Sequence, residues 1–372
     1  LRFEQIDVQH VLHDTRTAYL RGIDARGKTM VSVGASGLWY FDWVHTNCGW
    51  PARHIGVELY LPKPDDLPPN SEWVANTAGD MSDVESDVAD IVFSGQNIEH
   101  LWEDDVTNFL MEASRILKSG GLLVVDSPNR IITEALCIIQ PEHMVEFTPN
   151  EIADILFAAG FDVVVNRGIY LTRDPVSGEF LSYQPDHLWA GPWSLVQRCA
   201  ISDRHANESY LWWVEARKAR RDPDEAKVRE LIRVCWEKAW PERMNRFNSE
   251  LSEIKSDGAI SYYSSTKGHQ GAVIYGPYAP IVKGQYKAVM SVSRSDLVGP
   301  HDVVGIMDVL LNNAMINRVD ILASDTPLHE YVDVSIEFQI EAETAFGMQC
   351  RIIANGLSGL RVERALRLEK IG

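Results

Sequence analysis

Basic residues are scarce in this chain. Its 372 residues hold 35 Lys and Arg against 53 Asp and Glu, a formal charge of −18. A nucleic-acid backbone or an anionic membrane surface needs cationic side chains in excess, so the balance argues against both partners and for a neutral or weakly charged substrate. Cysteine is sparse as well. Cys48, Cys137, Cys199, Cys235 and Cys350 are scattered, odd in number, and form no CxxC pair. This disfavours a disulfide framework and a zinc site and fits buried thiols in a reducing cytoplasm. No apolar stretch approaches a membrane span and no signal-peptide pattern is present, so the expected location is cytoplasmic. Repeats and low-complexity tracts are absent too. What is present is 45% hydrophobic content, enough at this length for more than one core.

Through the first two thirds, helix-like and strand-like segments alternate. Residues 8–21 read as a helix, and 29–33 (TMVSV), 54–59 (HIGVEL), 88–93 (VADIVF) and 121–126 (GLLVVD) as strands. In 104–118, Val106, Phe109, Leu110, Ala113 and Leu117 fall at helical spacing, with Gly120 and Gly121 as the stop. Thr148 reads as an N-cap, with Pro149 at the first helical position, Glu151 completing a capping box and Gly160 ending the helix. The alternation predicts a mostly parallel sheet with helices on both faces. Residues 161–170 and 210–216 extend it as antiparallel strands, and the segment between them, with Pro185, Gly191 and Pro192, is suited to cover a cleft. Charged residues over 222–250 read as a solvated connector helix. From about residue 254, eight short β-rich runs recur with turn signals between them. Val332, Val334, Ile336, Phe338 and Ile340 alternate with polar residues, the mark of a half-buried antiparallel strand. The runs predict an all-β, jelly-roll-like sandwich. The expected domains are therefore 1–220, a connector over 221–253, and 254–372.

The stretch VSVGASGLWYFDW, residues 31–43, places glycine directly after a buried strand. That arrangement lets a backbone approach a ligand closely and turn into a helix. A GxGxxG fingerprint needs glycines where Ser36 and Trp39 stand, and no Gly-Lys-Ser/Thr comes after, so dinucleotide and Walker-type loops are excluded. Gly34 and Gly37 alone equally suit a structural turn. The order of the later strand ends adds weight. Glu58 ends the second strand, where a carboxylate accepts hydrogen bonds from ribose hydroxyls. Asp80, in GDMSDV, is placed to meet an exocyclic amine.

The series GVEL, GDM, IEHL, EASRILKSGGLLVVDSPNR and HMVEFTPNEIADILFAAGFDV resembles the class I S-adenosylmethionine-dependent methyltransferases, in the subgroup marked by an EH pair and an RvLKpGG run. The resemblance covers about residues 8–220. It implies a Rossmann-like seven-stranded sheet closed by an antiparallel hairpin, with S-adenosyl-L-methionine as cofactor. It further implies that Gly34, Ala35 and Gly37 line the methionine and ribose end. Glu58 would hold the ribose with Leu59 against the adenine, Asp80 would meet the adenine amine with Met81 on the ring, and Ser94 and Gly95 would lie beside the methionine, facing the substrate. The chain departs from the family at Ser32, where an acid is usual, and at Ser36, in place of a second glycine.

Methyl transfer to a hydroxyl needs a base active near neutral pH, and His100 and His143 are the candidates; each also suits a structural role. No metal is expected, because Glu103, Asp104 and Asp105 read as the acidic first turn of a helix. Trp39, Tyr40, Trp43, Trp50, Trp189 and Trp193 supply aromatic faces suited either to sugar rings or to core packing. Residues 271–294 are similar to segments of β-sandwich domains in bacterial polysaccharide-biosynthesis enzymes. That implies carbohydrate recognition, with Tyr275, Tyr278 and Tyr286 available for stacking. The expected activity is O-methylation of a saccharide hydroxyl of a cell-surface polysaccharide, in a homo-oligomer or beside polysaccharide glycosyltransferases. The alternatives are a small-molecule methyltransferase with an oligomerising sandwich and a glycan-binding scaffold with a degenerate methyltransferase fold.

Overall fold

A computed structural model describes residues 8–181, 193–258 and 260–371. The chain forms two compact units, Leu1–Leu136 with Val145–Ala239, and Cys137–Met144 with Trp240–Gly372. In the first unit, strands β1 (Thr29–Val33), β2 (Arg53–Val57), β3 (Ser71–Val74), β4 (Ala89–Gly95), β5 (Leu117–Pro128), β6 (Phe161–Leu171) and β7 (Ser209–Lys218) build one sheet in the order β3-β2-β1-β4-β5-β7-β6. The first five run parallel, and β7 inserts antiparallel between β5 and β6. This is the Rossmann-like seven-stranded sheet, closed by an antiparallel hairpin, that the resemblance implies.

Helices α1 (Val8–Leu20), α2 (Leu38–Cys48), α3 (Glu103–Ile116), α4 (Arg130–Ala135), α5 (Pro149–Ala158), α6 (Leu195–Ser202) and α7 (Glu225–Met244) complete the helical set. Val31 and Val33 of β1 pack with Phe109, Ile155 and Val228, while Met30 packs on the opposite face with Leu20, Tyr40 and Leu195. A strand covered on both faces is mostly apolar, which explains the hydrophobic runs in β1, β4 and β5. The capping box at α5 forms as read: Thr148 Oγ1 accepts from the Glu151 N–H at 3.2 Å, and the Glu151 carboxylate accepts from the Thr148 N–H at 2.9 Å. Gly120 and Gly121 do not stop α3; β5 has already begun at Leu117 and runs through them. Within α7, Val228, Ile232 and Cys235 join the first unit's core. The expected cleft cover, from Pro185 to Pro192 with Trp189, lies outside the described residues. Among the described residues no helix is long and apolar enough to cross a membrane.

The second unit is a single antiparallel sheet of β8 (Lys255–Asp257), β9 (Ile260–Ser264), β10 (Gln270–Arg294), β11 (Val303–Leu311), β12 (Ala314–Leu322), β13 (Val332–Asn355), β14 (Leu360–Glu363) and β15 (Arg367–Lys370). Two pairs of the runs seen in sequence are halves of the long strands β10 and β13. Register shifts between Ala272 and Gly284 bend this pair. One half lies beside β11, the other beside β14 and β15. The halves face each other: a Cβ on Gly305 of β11 would stand 2.9 Å from Leu360 Cδ1 of β14. The expected sandwich is thus a sheet folded over one core. Tyr286 belongs to that core. Its ring stacks on Phe338 at 5.7 Å and its hydroxyl donates to Val282 O, so it offers no sugar platform. Tyr275 and Tyr278 are half-buried and meet edge to face at 6.3 Å.

Candidate active site

Strand β1 lies between β2 and β4, so the chain leaving it enters the crevice at the carboxyl ends of the parallel strands, where α/β sheets bind ligands. Gly34 turns the chain with φ +75°, and its N–H donates to Val57 O at 2.9 Å. The Ala35 N–H donates to the same oxygen at 3.3 Å, so both amides are tied to β2. A Cβ on Gly34 would stand 3.0 Å from Asn97 Oδ1, and Asn97 Nδ2 donates to Ser94 Oγ at 3.2 Å. The turn, the end of β2 and the end of β4 therefore pack as one row. Gly37 opens α2 at φ +98° with no side-chain cap, and a Cβ there would meet nothing within 4 Å. Glycine is needed at this position for its backbone angle, not for crowding. The first amides of α2 lack a side-chain acceptor at the cap, leaving the positive end of its dipole available. Of the aromatic residues nearby, Tyr40 and Trp43 are buried, whereas Trp39 and Trp50 are 55% and 56% exposed.

Glu58 directly follows β2. Its Oε1 accepts from the N–H groups of Tyr60 and Leu61 at 2.8 and 3.2 Å, and among the described residues no hydrogen bond reaches Oε2. Leu59 beside it is exposed. Asp80 lies beyond β3 and is also exposed; its Oδ1 accepts from the Ser82 N–H at 3.0 Å. Hydrogen bonds from Ser82, then Asn76, hold its carboxyl below the usual range. Met81 is fully buried. Its N–H donates to Glu112 Oε2 and its carbonyl accepts from Arg115 Nη2, which fixes the Gly79–Asp80 turn against α3.

Two buried polar groups carried no readable sequence signal as partners. Asp126, wholly buried at the end of β5, accepts from Arg16 Nε at 2.6 Å, Arg16 Nη2 at 3.1 Å and Gln96 Nε2 at 2.8 Å. Gly95 packs against this cluster: a Cβ there would stand 2.7 Å from Arg16 Nη2 and 3.0 Å from Asp126 Oδ1. The other group joins Ser32, His54 and His45 beneath the turn. His100 closes a 3-10 turn after β4, its N–H donating to Asn97 O at 3.0 Å. His143 belongs to the second unit, where its N–H donates to Gln140 O and its carbonyl accepts from Arg243 Nε.

Residues 43–125 match the methyltransferase domain family. The match includes Glu58, Asp80, Ser94 and His100 and begins after the Gly34 turn. The chain is similar to a Mycobacterium tuberculosis (strain H37Rv) protein named "Probable S-adenosylmethionine-dependent methyltransferase", 39% identical over 83 residues, 22% of this chain and 30% of that protein. A Mycolicibacterium smegmatis protein of like name is 36% identical over 83 residues, 22% of this chain and 32% of the relative. The chain thus spans about 30% of the length of the curated relatives it matches. Among solved structures, a SAM dependent methyltransferase from Archaeoglobus fulgidus is similar at a TM-score of 0.38 and 17% identity, over 55% of this chain and 94% of that one. The 1,6-didemethyltoxoflavin-N1-methyltransferase of Burkholderia thailandensis, with bound S-adenosylhomocysteine, gives 0.35 and 14%, over 57% and 80%.

Proposed function

We propose that the chain is an S-adenosylmethionine-dependent methyltransferase whose cofactor lies across the carboxyl ends of β1, β2 and β4. The observation that carries the reading is the convergence, at one crevice, of the Gly34–Gly37 turn, Glu58 and the Ser94–Gly95 end of β4. The residues fit the group. A Cβ on Gly37 would meet nothing within 4 Å, α2 opens without a side-chain cap, and Glu58 Oε2, unused among the described residues, is an acceptor suited to a ribose diol. Gly34, Ala35 and Gly37 would hold the methionine and ribose end, Glu58 and Leu59 the ribose and adenine, Asp80 the adenine amine beside Met81, and Ser94 and Gly95 the methionine. When bound, S-adenosyl-L-methionine supplies an electrophilic methyl group on a sulfonium. The chain's own part is to hold an acceptor in line, which supplies on the order of several kcal/mol, and to remove the acceptor's proton. His100, on the turn after β4, takes the proton in this reading.

The acceptor we infer is a saccharide hydroxyl. The exposed rings of Trp39 and Trp50, at the two ends of α2, suit the C–H faces of a sugar, and Tyr275 with Tyr278 offers a second aromatic pair. The net charge of −18 favours such an uncharged acceptor. Calorimetry with S-adenosylhomocysteine tests the core of the reading. The wild type should bind, and Glu58→Ala should weaken binding by about 1.5–3 kcal/mol, the worth of a hydrogen bond to a charged group. Absence of uptake at millimolar ligand overturns the reading, and unchanged affinity removes Glu58 from the site. His100→Ala should slow transfer by about 10²–10⁴-fold with affinity intact.

A further inference from the structure

Beneath the Gly34 turn, three polar side chains meet inside an apolar wall. Ser32 of β1, His54 of β2 and His45 of α2 are all buried. His54 Nε2 lies 2.8 Å from Ser32 Oγ, and His54 Nδ1 lies 2.8 Å from His45 Nε2. Phe41 packs on His54 at 4.6 Å between ring centroids, and Trp50 on His45 at 4.5 Å. Two proton orders satisfy these contacts. If both rings carry hydrogen on Nδ1, Ser32 donates to His54 and His54 to His45, and His45 Nδ1–H becomes a buried donor with no acceptor. If both carry it on Nε2, His45 donates to His54 and His54 donates to Ser32 Oγ. The one unused atom is then a lone pair on His45 Nδ1. Orphaned buried N–H groups are rarer than under-satisfied acceptors, which selects the second order. The Ser32 hydroxyl hydrogen ends the relay and turns to the buried Tyr40 oxygen.

The chain of contacts ties together the elements that frame the turn. Strand β1 enters the turn, α2 leaves it, and Val57 of β2 accepts the Gly34 and Ala35 amides. Gly56, opposite Ser32 in register, leaves the space that Phe41 fills; a Cβ there would stand 2.6 Å from Phe41 Cζ and 3.0 Å from Ala35 Cβ. We infer that Ser32, His54 and His45 form a directional hydrogen-bond relay that holds the Gly34–Gly37 turn in its cofactor-gripping shape. All three are positioning residues, and the role rests on reading that turn as the cofactor loop. Burial, then the neighbouring His45 ring, holds His54 down to about 3, and burial outweighs Asp42 in lowering His45, so the relay works with neutral rings.

The test uses the full chain labelled with ¹⁵N. Long-range nitrogen–proton correlation spectra read the histidine tautomers, hydrogen exchange reads the Gly34 and Ala35 amides, and calorimetry reads S-adenosylhomocysteine affinity. The expected result is Nε2–H on both rings. Ser32→Ala should speed exchange of both amides and weaken binding, each by about tenfold, the net loss of one hydrogen bond. Ser209→Ala removes a buried serine bond to His205 O on β7 and controls for stability loss alone; it should change neither readout. Nδ1–H on either ring, or a Ser32→Ala variant that behaves like Ser209→Ala, overturns the relay. If the wild type fails to bind S-adenosylhomocysteine, the cofactor reading falls, while the tautomers and amide exchange still decide whether the relay holds the turn.

Discussion

Replacing Asp126 with alanine should cost the first unit about 3–5 kcal/mol, the range for breaking a buried ion pair from one side. The carboxylate is fully buried and receives three hydrogen bonds, two from Arg16 and one from Gln96. Arg16 is only 13% exposed and lies over the Trp43 ring at 5.4 Å, so it cannot swing into water without leaving that contact. Its guanidinium would stay largely buried and lose its nearest counter-charge. Arg16→Met leaves the opposite charge stranded and should cost a similar amount. The double variant Arg16→Met with Asp126→Ala removes both charges. Its loss should fall short of the sum of the singles by about 2–3 kcal/mol. Urea unfolding followed by tryptophan emission measures this, because among the described tryptophans only Trp240 belongs to the second unit and the signal comes chiefly from the first. Additive losses, or a cost below about 1 kcal/mol for Asp126→Ala, would show that water screens the pair and would refute the argument.

Three further perturbations probe the same geometry. Gly56→Ala drives a methyl into Phe41 and Ala35 and should destabilise the first unit by about 1–3 kcal/mol, read as a shift of the same urea transition. His54 titrates near its ordinary 6.5 in the unfolded chain but at about 3 when folded. Between these values the unfolded state holds more protons, so stability falls as pH drops below about 6.5, at up to 1.4 kcal/mol per unit. The loss from this group reaches about 2 kcal/mol at pH 5, and His54→Phe should shrink the difference in stability between pH 7.5 and pH 5 by that amount; an undiminished difference would assign the acid sensitivity elsewhere. Thr148→Ala removes the α5 cap and should cost about 1 kcal/mol, checked against Ser177→Ala on an exposed loop as a neutral control.

How much could be read in advance depended on how local each signal was. The α5 capping box spans four residues and formed as read. Strands β1, β4 and β5 were legible because burial on both faces leaves a mostly apolar run. Strand β3 escaped notice for the converse reason: SEWV is a short edge strand, half-exposed, held by backbone pairing to β2 and by Arg53 on Glu72 at 2.6 Å. In the second unit, glycine and proline between AVIYG and QYKAVMSVSR suit either a turn between runs or a strand corner. The corner is what they make in one long strand, because a sheet that folds over itself needs the same residue types as a chain that reverses. The site divides in the same way. Gly34 and Glu58 each sit at a strand end and were candidates from strand order, whereas Ser94 came with the resemblance. Ser32, His54 and Asp126 were visible only as polar residues in apolar strands. A strand buried on both faces obliges such a residue to find a partner, so the sequence announces that a bond exists without saying to what. For Asp126 the answer lies 110 residues away on α1. For Ser32, met first as a departure from the usual acid, the answer is a histidine pair that fills the same need for a buried acceptor and donor without bringing a charge.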